Sequence, residues 1–176
     1  MPSHRAAIAV GPKAAGKTTF CQLYADTRPG TVLVRPLDEA AKESIDEGIL
    51  WKTMAQNLRS PADKDTMLIL DCHHDDPAQR KATITRLHAL GIADVEAWYF
   101  VTPEHVCVKW FMEREEREER ALTDPRDRKW RSLFRVEIVK ALRHDHARFP
   151  FPTVQEGFSR IRKIDPLAQN LRSFCH

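Results

Sequence analysis

Cysteine is scarce: four residues in 176, and no two of them form a C-x-x-C pair. Cys21, Cys72, Cys107 and Cys175 therefore read as reduced thiols of an intracellular chain, three of them in apolar company. Long apolar runs are also missing, and none approaches the roughly 20 residues that cross a bilayer. Met1-Pro-Ser-His-Arg5 leads straight into a strand pattern, without the h-region of a secretion signal. These absences argue against a membrane partner and set the expectation of a cytoplasmic or nuclear protein. There is no internal repeat. No large excess of one charge exists either: the formal net charge is +3 and the pI is near 8.7. That permits an anionic partner without demanding a nucleic acid.

What is present is ordinary globular material, 42% hydrophobic and 30% charged. The length suits one well-filled domain over 1–176 and is short for two. Within it, Gly11-Pro-Lys-Ala-Ala-Gly-Lys-Thr18 fits G-x-x-x-x-G-K-S/T, the loop that cradles phosphates in nucleoside triphosphate enzymes. The flanks suit that chemistry. Ala6 to Val10 is apolar enough for a buried strand, and Thr19 to Ala25 has helical spacing with Phe20, Leu23 and Tyr24 on one face. Loop amides and the helix N-terminus would converge on phosphate oxygens. The expected ATP-binding set is Gly11, Pro12, Lys13, Ala14, Ala15, Gly16, Lys17, Thr18 and Thr19. Lys17 would reach the β- and γ-phosphates, and the Thr18 hydroxyl would ligand Mg²⁺.

Strand and helix patterns then alternate. Thr31 to Arg35 reads as a second strand, and Glu39 to Gln56 as a helix with Gly48 inside it. Thr66 to Asp71 is continuously apolar until its last residue, as a parallel strand covered on both faces should be. Pro77 to Leu90 reads as a helix with Ile84, Leu87 and Leu90 inward and Gly91 as its stop. Val95 to Val101 is the fourth strand. Thr102 stands as the cap of a further helix with Pro103 at its first position. That helix runs into the charge-dense Glu113–Arg120, and a break at Thr123-Asp124-Pro125 precedes a last helix near 128–147. Ser159 to Ile164 reads as a fifth strand. The expectation is an α/β fold of three layers, with about five mainly parallel strands and an Arg-rich helical lid near 111–128.

In such sheets the active groups gather at the carboxyl ends of the strands. Asp38 lies just past the second strand, where a carboxylate could take a proton from an attacking hydroxyl or simply cap a helix. Both readings stand on the residues alone. Asp71 ends the third strand, where an acidic residue orients Mg²⁺ in phosphate-loop enzymes. His73-His74-Asp75-Asp76 has adjacent rather than helically spaced ligands, so it reads as a solvated loop near an acceptor site. His144 and His146 read as helix-surface residues. Arg114, Arg117 and Arg120 share a helix side, as do Glu113, Glu116 and Glu119. This is either a solvated helix laced with ion pairs or a lid whose arginines fold over phosphates.

Gly11–Thr18, Asp38, Asp71 and Phe149-Pro-Phe-Pro-Thr-Val-Gln-Glu-Gly-Phe158 together resemble the 5′-hydroxyl polynucleotide kinase domain. That family carries a Pro-Thr-x-x-Glu-Gly-Phe stretch near the end of its kinase domain, as Pro152–Phe158 does here. The resemblance implies transfer of phosphate from ATP, with Mg²⁺, to a 5′-OH end of DNA or RNA. It implies Lys17 and Thr18 on phosphates and metal, Asp38 as general base, and Arg114 or Arg117 as the lid arginine. Lys42 falls near a family arginine that grips the acceptor. Arg35 and His73 stand on the acceptor side too, in stretches (Arg35-Pro-Leu-Asp38 and Asp71-Cys-His-His74) that differ from the family's Asn-Arg-Asp and Asp-x-Thr-Asn patterns. A small-molecule kinase acting on a sugar, nucleoside or antibiotic, and a nucleotide-binding switch module, are the competing readings.

Overall fold

The computed structural model describes residues 4–35, 66–71 and 75–168. Asp38, Lys42, His73 and the expected 39–56 helix lie outside those residues. Five strands form one sheet: β1 (Arg5–Val10), β2 (Thr31–Val34), β3 (Met67–Leu70), β4 (Asp94–Phe100) and β5 (Arg160–Ile164). Their order is β2-β3-β1-β4-β5, and every neighbouring pair is parallel. Among the described residues four helices accompany them: α1 (Lys17–Thr27), α2 (Pro77–Ala89), α3 (Glu104–Ala121) and α4 (Pro125–Arg148). The architecture is thus α/β with a wholly parallel sheet. None of the described helices is long and apolar enough to cross a membrane.

Period-two alternation explains how the sheet is covered on both faces. Ala6, Ile8 and Val10 of β1 join Leu68, Leu70, Val95 and Ala97 in one cluster, closed by Ile84 and Leu87 of α2 and by Phe158. Ala7 and Ala9 face the other way with Ile69, Trp98 and Phe100, under Phe20 and Cys21 of α1 and Cys107 of α3. The small side chains of β1 let this central strand accept bulk from both sides. Phe20 meets Trp98 and Phe100 edge-on at 5.7 and 5.4 Å, a favoured arrangement of aromatic quadrupoles.

Three boundaries differ from the sequence pattern, each for a local reason. Leu90 is only half-buried because it is the C-cap of α2 rather than part of its inward face. Helix α4 starts at Pro125, since the Asp124 side chain accepts from Arg126 N at 2.7 Å and caps it. Thr102 caps nothing. Pro103 holds the cap position of α3, and the buried Thr102 hydroxyl instead donates to Ala15 O at 2.8 Å.

Residues 152–158 fold back onto α2. Arg80 is fully buried on that helix and meets Glu156 through two bonds, Nε to Oε2 at 2.6 Å and Nη2 to Oε1 at 3.0 Å. Glu156 Oε1 also accepts from Thr153 N at 3.0 Å, closing a short 3-10 turn over Val154–Glu156.

The two buried thiols among the described residues are free. Burial pushes Cys21 up to about 12 and Cys107 up to about 11. At pH 8 the thiolate fraction is then on the order of 10⁻⁴ for Cys21 and 10⁻³ for Cys107. Neither should be alkylated by iodoacetamide in the native protein at that pH, and both should react in urea. Peptide-resolved mass spectrometry reads this directly, and native labelling of either site at the denatured rate would contradict the burial.

Candidate functional site

The loop Gly11–Gly16 leaves the carboxyl end of β1, the central strand, and feeds α1. Two close approaches explain its glycines. A Cβ at Gly11 would lie 2.9 Å from Phe100 Cβ, and one at Gly16 would lie 3.0 Å from Trp110 Cζ3 of α3. Gly16 also has φ +85°, the left-handed region that other residues resist. Ala14 takes a positive φ of 61° between them. The tight turn leaves the first N–H groups of α1 without helical acceptors at the loop's end. Ala15 and Pro12 are buried, Lys13, Thr18 and Thr19 exposed, and Lys17 half-buried.

Lys17 Nζ donates to Gly11 O at 2.6 Å and Pro12 O at 2.8 Å. It therefore bridges the mouth of its own loop. Removal from water lowers its pKa, and the carboxylates of Asp75 and Asp71 pull the other way. A lysine held by carbonyls and acids at a glycine loop has a charge that an incoming anion can take over.

Asp71 follows β3 directly, and its amide donates to Val34 O at 3.0 Å, which registers it against the end of β2. Its carboxylate is nearly buried and receives Arg35 Nε at 3.1 Å. The other side of the Arg35 guanidinium donates through Nη2 to Thr18 O at 2.8 Å. One arginine thus ties the carboxyl ends of β2 and β3 to the first turn of α1. The structure brings Lys17, Thr18, Arg35, Asp71 and Asp75 to one rim of the sheet. Arg35, whose pairing no local pattern announced, holds that rim together.

The charge-dense helix is differently arranged. Arg114 lies over the Phe111 ring at 5.4 Å and within 3.8 Å of Glu118. Arg117 is exposed on α3. Neither makes a described contact with the 11–18 loop, whereas Trp110, one turn earlier on the same helix, abuts Gly16. The cations of α4 turn toward α3: Arg131 pairs with Glu115 at 2.9 Å and with Glu118, and Arg135 pairs with Glu119. Arg143 meets Glu104 at 3.3 Å. His144 is exposed, but His146 is half-buried and its Nε2 lies 2.9 Å from Thr102 O. The far end of α4 is thereby linked, through Thr102, to the loop at Ala15.

Among the described residues no group of three or more His, Cys, Asp or Glu could enclose a metal ion. That donor set still fits Mg²⁺, which keeps several waters and is usually bound by one or two protein oxygens plus substrate phosphates. The exposed Thr18 hydroxyl and the second oxygen of Asp71 are such oxygens. No family model matches the sequence, and no curated protein matches it.

Proposed function

We propose that the chain is an ATP-dependent phosphotransferase with a phosphate-loop kinase fold, a single domain over 1–176 that moves the γ-phosphate to a 5′-OH end of DNA or RNA. The observation that carries this reading is Lys17 in its glycine loop beside Asp71 and Arg35, on one rim of a parallel sheet. Phosphoryl transfer asks mainly for alignment and charge neutralisation. Lys17 would exchange the carbonyls of Gly11 and Pro12 for β- and γ-phosphate oxygens, helped by the loop amides. Mg²⁺ arriving with ATP, held by Thr18 and Asp71, would supply further neutralising charge. Asp38 takes the acceptor's proton, Arg114 or Arg117 closes from the 111–128 lid, and Arg35, Lys42 and His73 serve the acceptor side.

One observation favours a second reading, a small-molecule kinase. Arg131, Arg135 and Arg143, three of the eight Lys and Arg residues of α4, are engaged by glutamates of α3 and are to that extent withdrawn from a nucleic acid backbone. Transfer of labelled γ-phosphate to 5′-OH oligonucleotides, nucleosides and sugars separates the two. The expected product is a 5′-labelled oligonucleotide. Labelled nucleoside or sugar alone would move the assignment to the second reading, and ATP consumption with no labelled acceptor would favour a nucleotide switch.

The same assay tests the base. In Asp38→Asn nucleotide affinity should stay near wild type while single-turnover transfer falls by roughly 10²-fold, the usual worth of a positioned base. Unchanged transfer would leave Asp38 as a helix cap.

A further inference from the structure

Ala15 is buried within the glycine loop, and both of its backbone groups are engaged. Its amide donates to Pro12 O at 3.3 Å, and its carbonyl accepts from the buried Thr102 hydroxyl at 2.8 Å. Thr102, just past β4, is held in turn by α4: His146 Nε2 lies 2.9 Å from its carbonyl, which can only accept. The chain has no cis peptide among the described residues. In a trans peptide the C=O and N–H lie in one plane and point to opposite sides. Fixing Ala15 O on Thr102 therefore fixes the Gly16 N–H, which points away from Thr102. Among the described residues nothing accepts from that N–H. Gly16 cannot hold the plane by itself. A flip of this peptide turns on ψ of Ala15 and φ of Gly16, and glycine, here at φ +85°, takes either sign of φ at little cost. The flipped plane would set the Ala15 carbonyl where the N–H had been, a partial negative charge in place of a donor.

We propose that Thr102 is a positioning residue of the glycine loop: its hydroxyl holds the Ala15–Gly16 peptide with the N–H aimed at the phosphate oxygens of a bound nucleotide. The role rests on the phosphate-loop reading of Lys17 and extends it to a residue 87 positions from Ala15. Helix capping does not account for the hydroxyl, since Pro103 holds the cap position of α3. Packing does not account for it either, because valine has nearly the same shape without the donor. An N–H fixed before the anion arrives gives a charge-assisted hydrogen bond with no reorientation at the moment of binding.

Calorimetric titration with tripolyphosphate and with ATP, in wild type, Thr102→Val and Thr102→Ser, tests this role. Valine keeps the shape and removes the donor, whereas serine keeps the donor. Thr102→Val should bind both ligands about tenfold more weakly, roughly the worth of one misdirected hydrogen bond to a charged oxygen. Thr102→Ser should bind them as wild type does. The Gly16 amide proton signal should move downfield with tripolyphosphate in wild type and Thr102→Ser, and stay in place in Thr102→Val. Thermal unfolding of the same preparations checks that each variant is folded. If Thr102→Val does not fold, the Gly16 signal decides, and its failure to move in wild type overturns the role. Equal affinity of wild type and folded Thr102→Val also overturns it, and leaves the phosphate loop standing. Binding by Thr102→Ser as weak as by Thr102→Val does the same, since the effect would then lie in the lost methyl group. No binding of either ligand to wild type overturns the phosphate-loop reading together with this role.

Discussion

Lys17→Ala is expected to leave a folded protein that transfers no detectable phosphate to any acceptor. The fold should survive because Lys17 lies in no core cluster; it bridges Gly11 O and Pro12 O from a half-buried position. Losing those two bonds should reduce stability by about 1–3 kcal/mol. Transfer is another matter. No second cation in the loop can substitute: Lys13 is exposed, and Arg35 is committed to Asp71 and Thr18 O. Thermal unfolding followed by circular dichroism, with single-turnover transfer on the same preparation, measures both effects. Full turnover in the folded variant would remove the glycine loop from the chemistry.

The parts of this fold that were legible in the sequence are those coded locally. Apolar runs marked the first four strands to within a residue or two, the alternating Arg160–Ile164 was the weakest of the five signals, and the glycine loop announced its strand and helix because its pattern is a local one. Asp71 could be picked out because an acid ends an otherwise apolar run. Long-range partnerships were not legible. The order β2-β3-β1-β4-β5 depends on which strands pair, and no strand states its neighbour. Thr102 before Pro103 looks like a helix cap, but tertiary packing gives its hydroxyl the Ala15 carbonyl instead. The partners of the α4 arginines were not legible either, because the α3 glutamates that engage them lie on the neighbouring helix, 13 to 16 positions away for Arg131. Arg80 carried no signal at all. On an exposed-looking helix it resembles any solvated arginine, and its partner is 76 residues further on.

That hidden pair leads to the largest expected loss of stability. Glu156 belongs to the Pro152–Phe158 stretch that resembles the end of a kinase domain, and its role in the fold is mechanical. Its carboxylate holds Arg80 from α2, Thr153 N closes the turn behind it, and Phe158 inserts into the core two residues later. Arg80 Nη1 also reaches Asp75 O at 3.4 Å, so the same guanidinium steadies the loop whose carboxylate faces Lys17. Arg80→Met would strand a carboxylate, and Glu156→Leu would strand a guanidinium, in a site with almost no access to water. Breaking one side of a buried pair costs about 3–5 kcal/mol. For a chain of this size that lowers Tm by roughly 6–20 °C. The double variant Arg80→Met/Glu156→Leu buries apolar groups of similar volume, leaves no charge behind, and should recover most of the loss. Denaturation of the four proteins in urea closes the cycle. If the single variants unfold with the wild type, the pair contributes nothing. If the double variant is as unstable as the worse single, the cause is lost packing or the lost Asp75 bond, and stranded charge is ruled out.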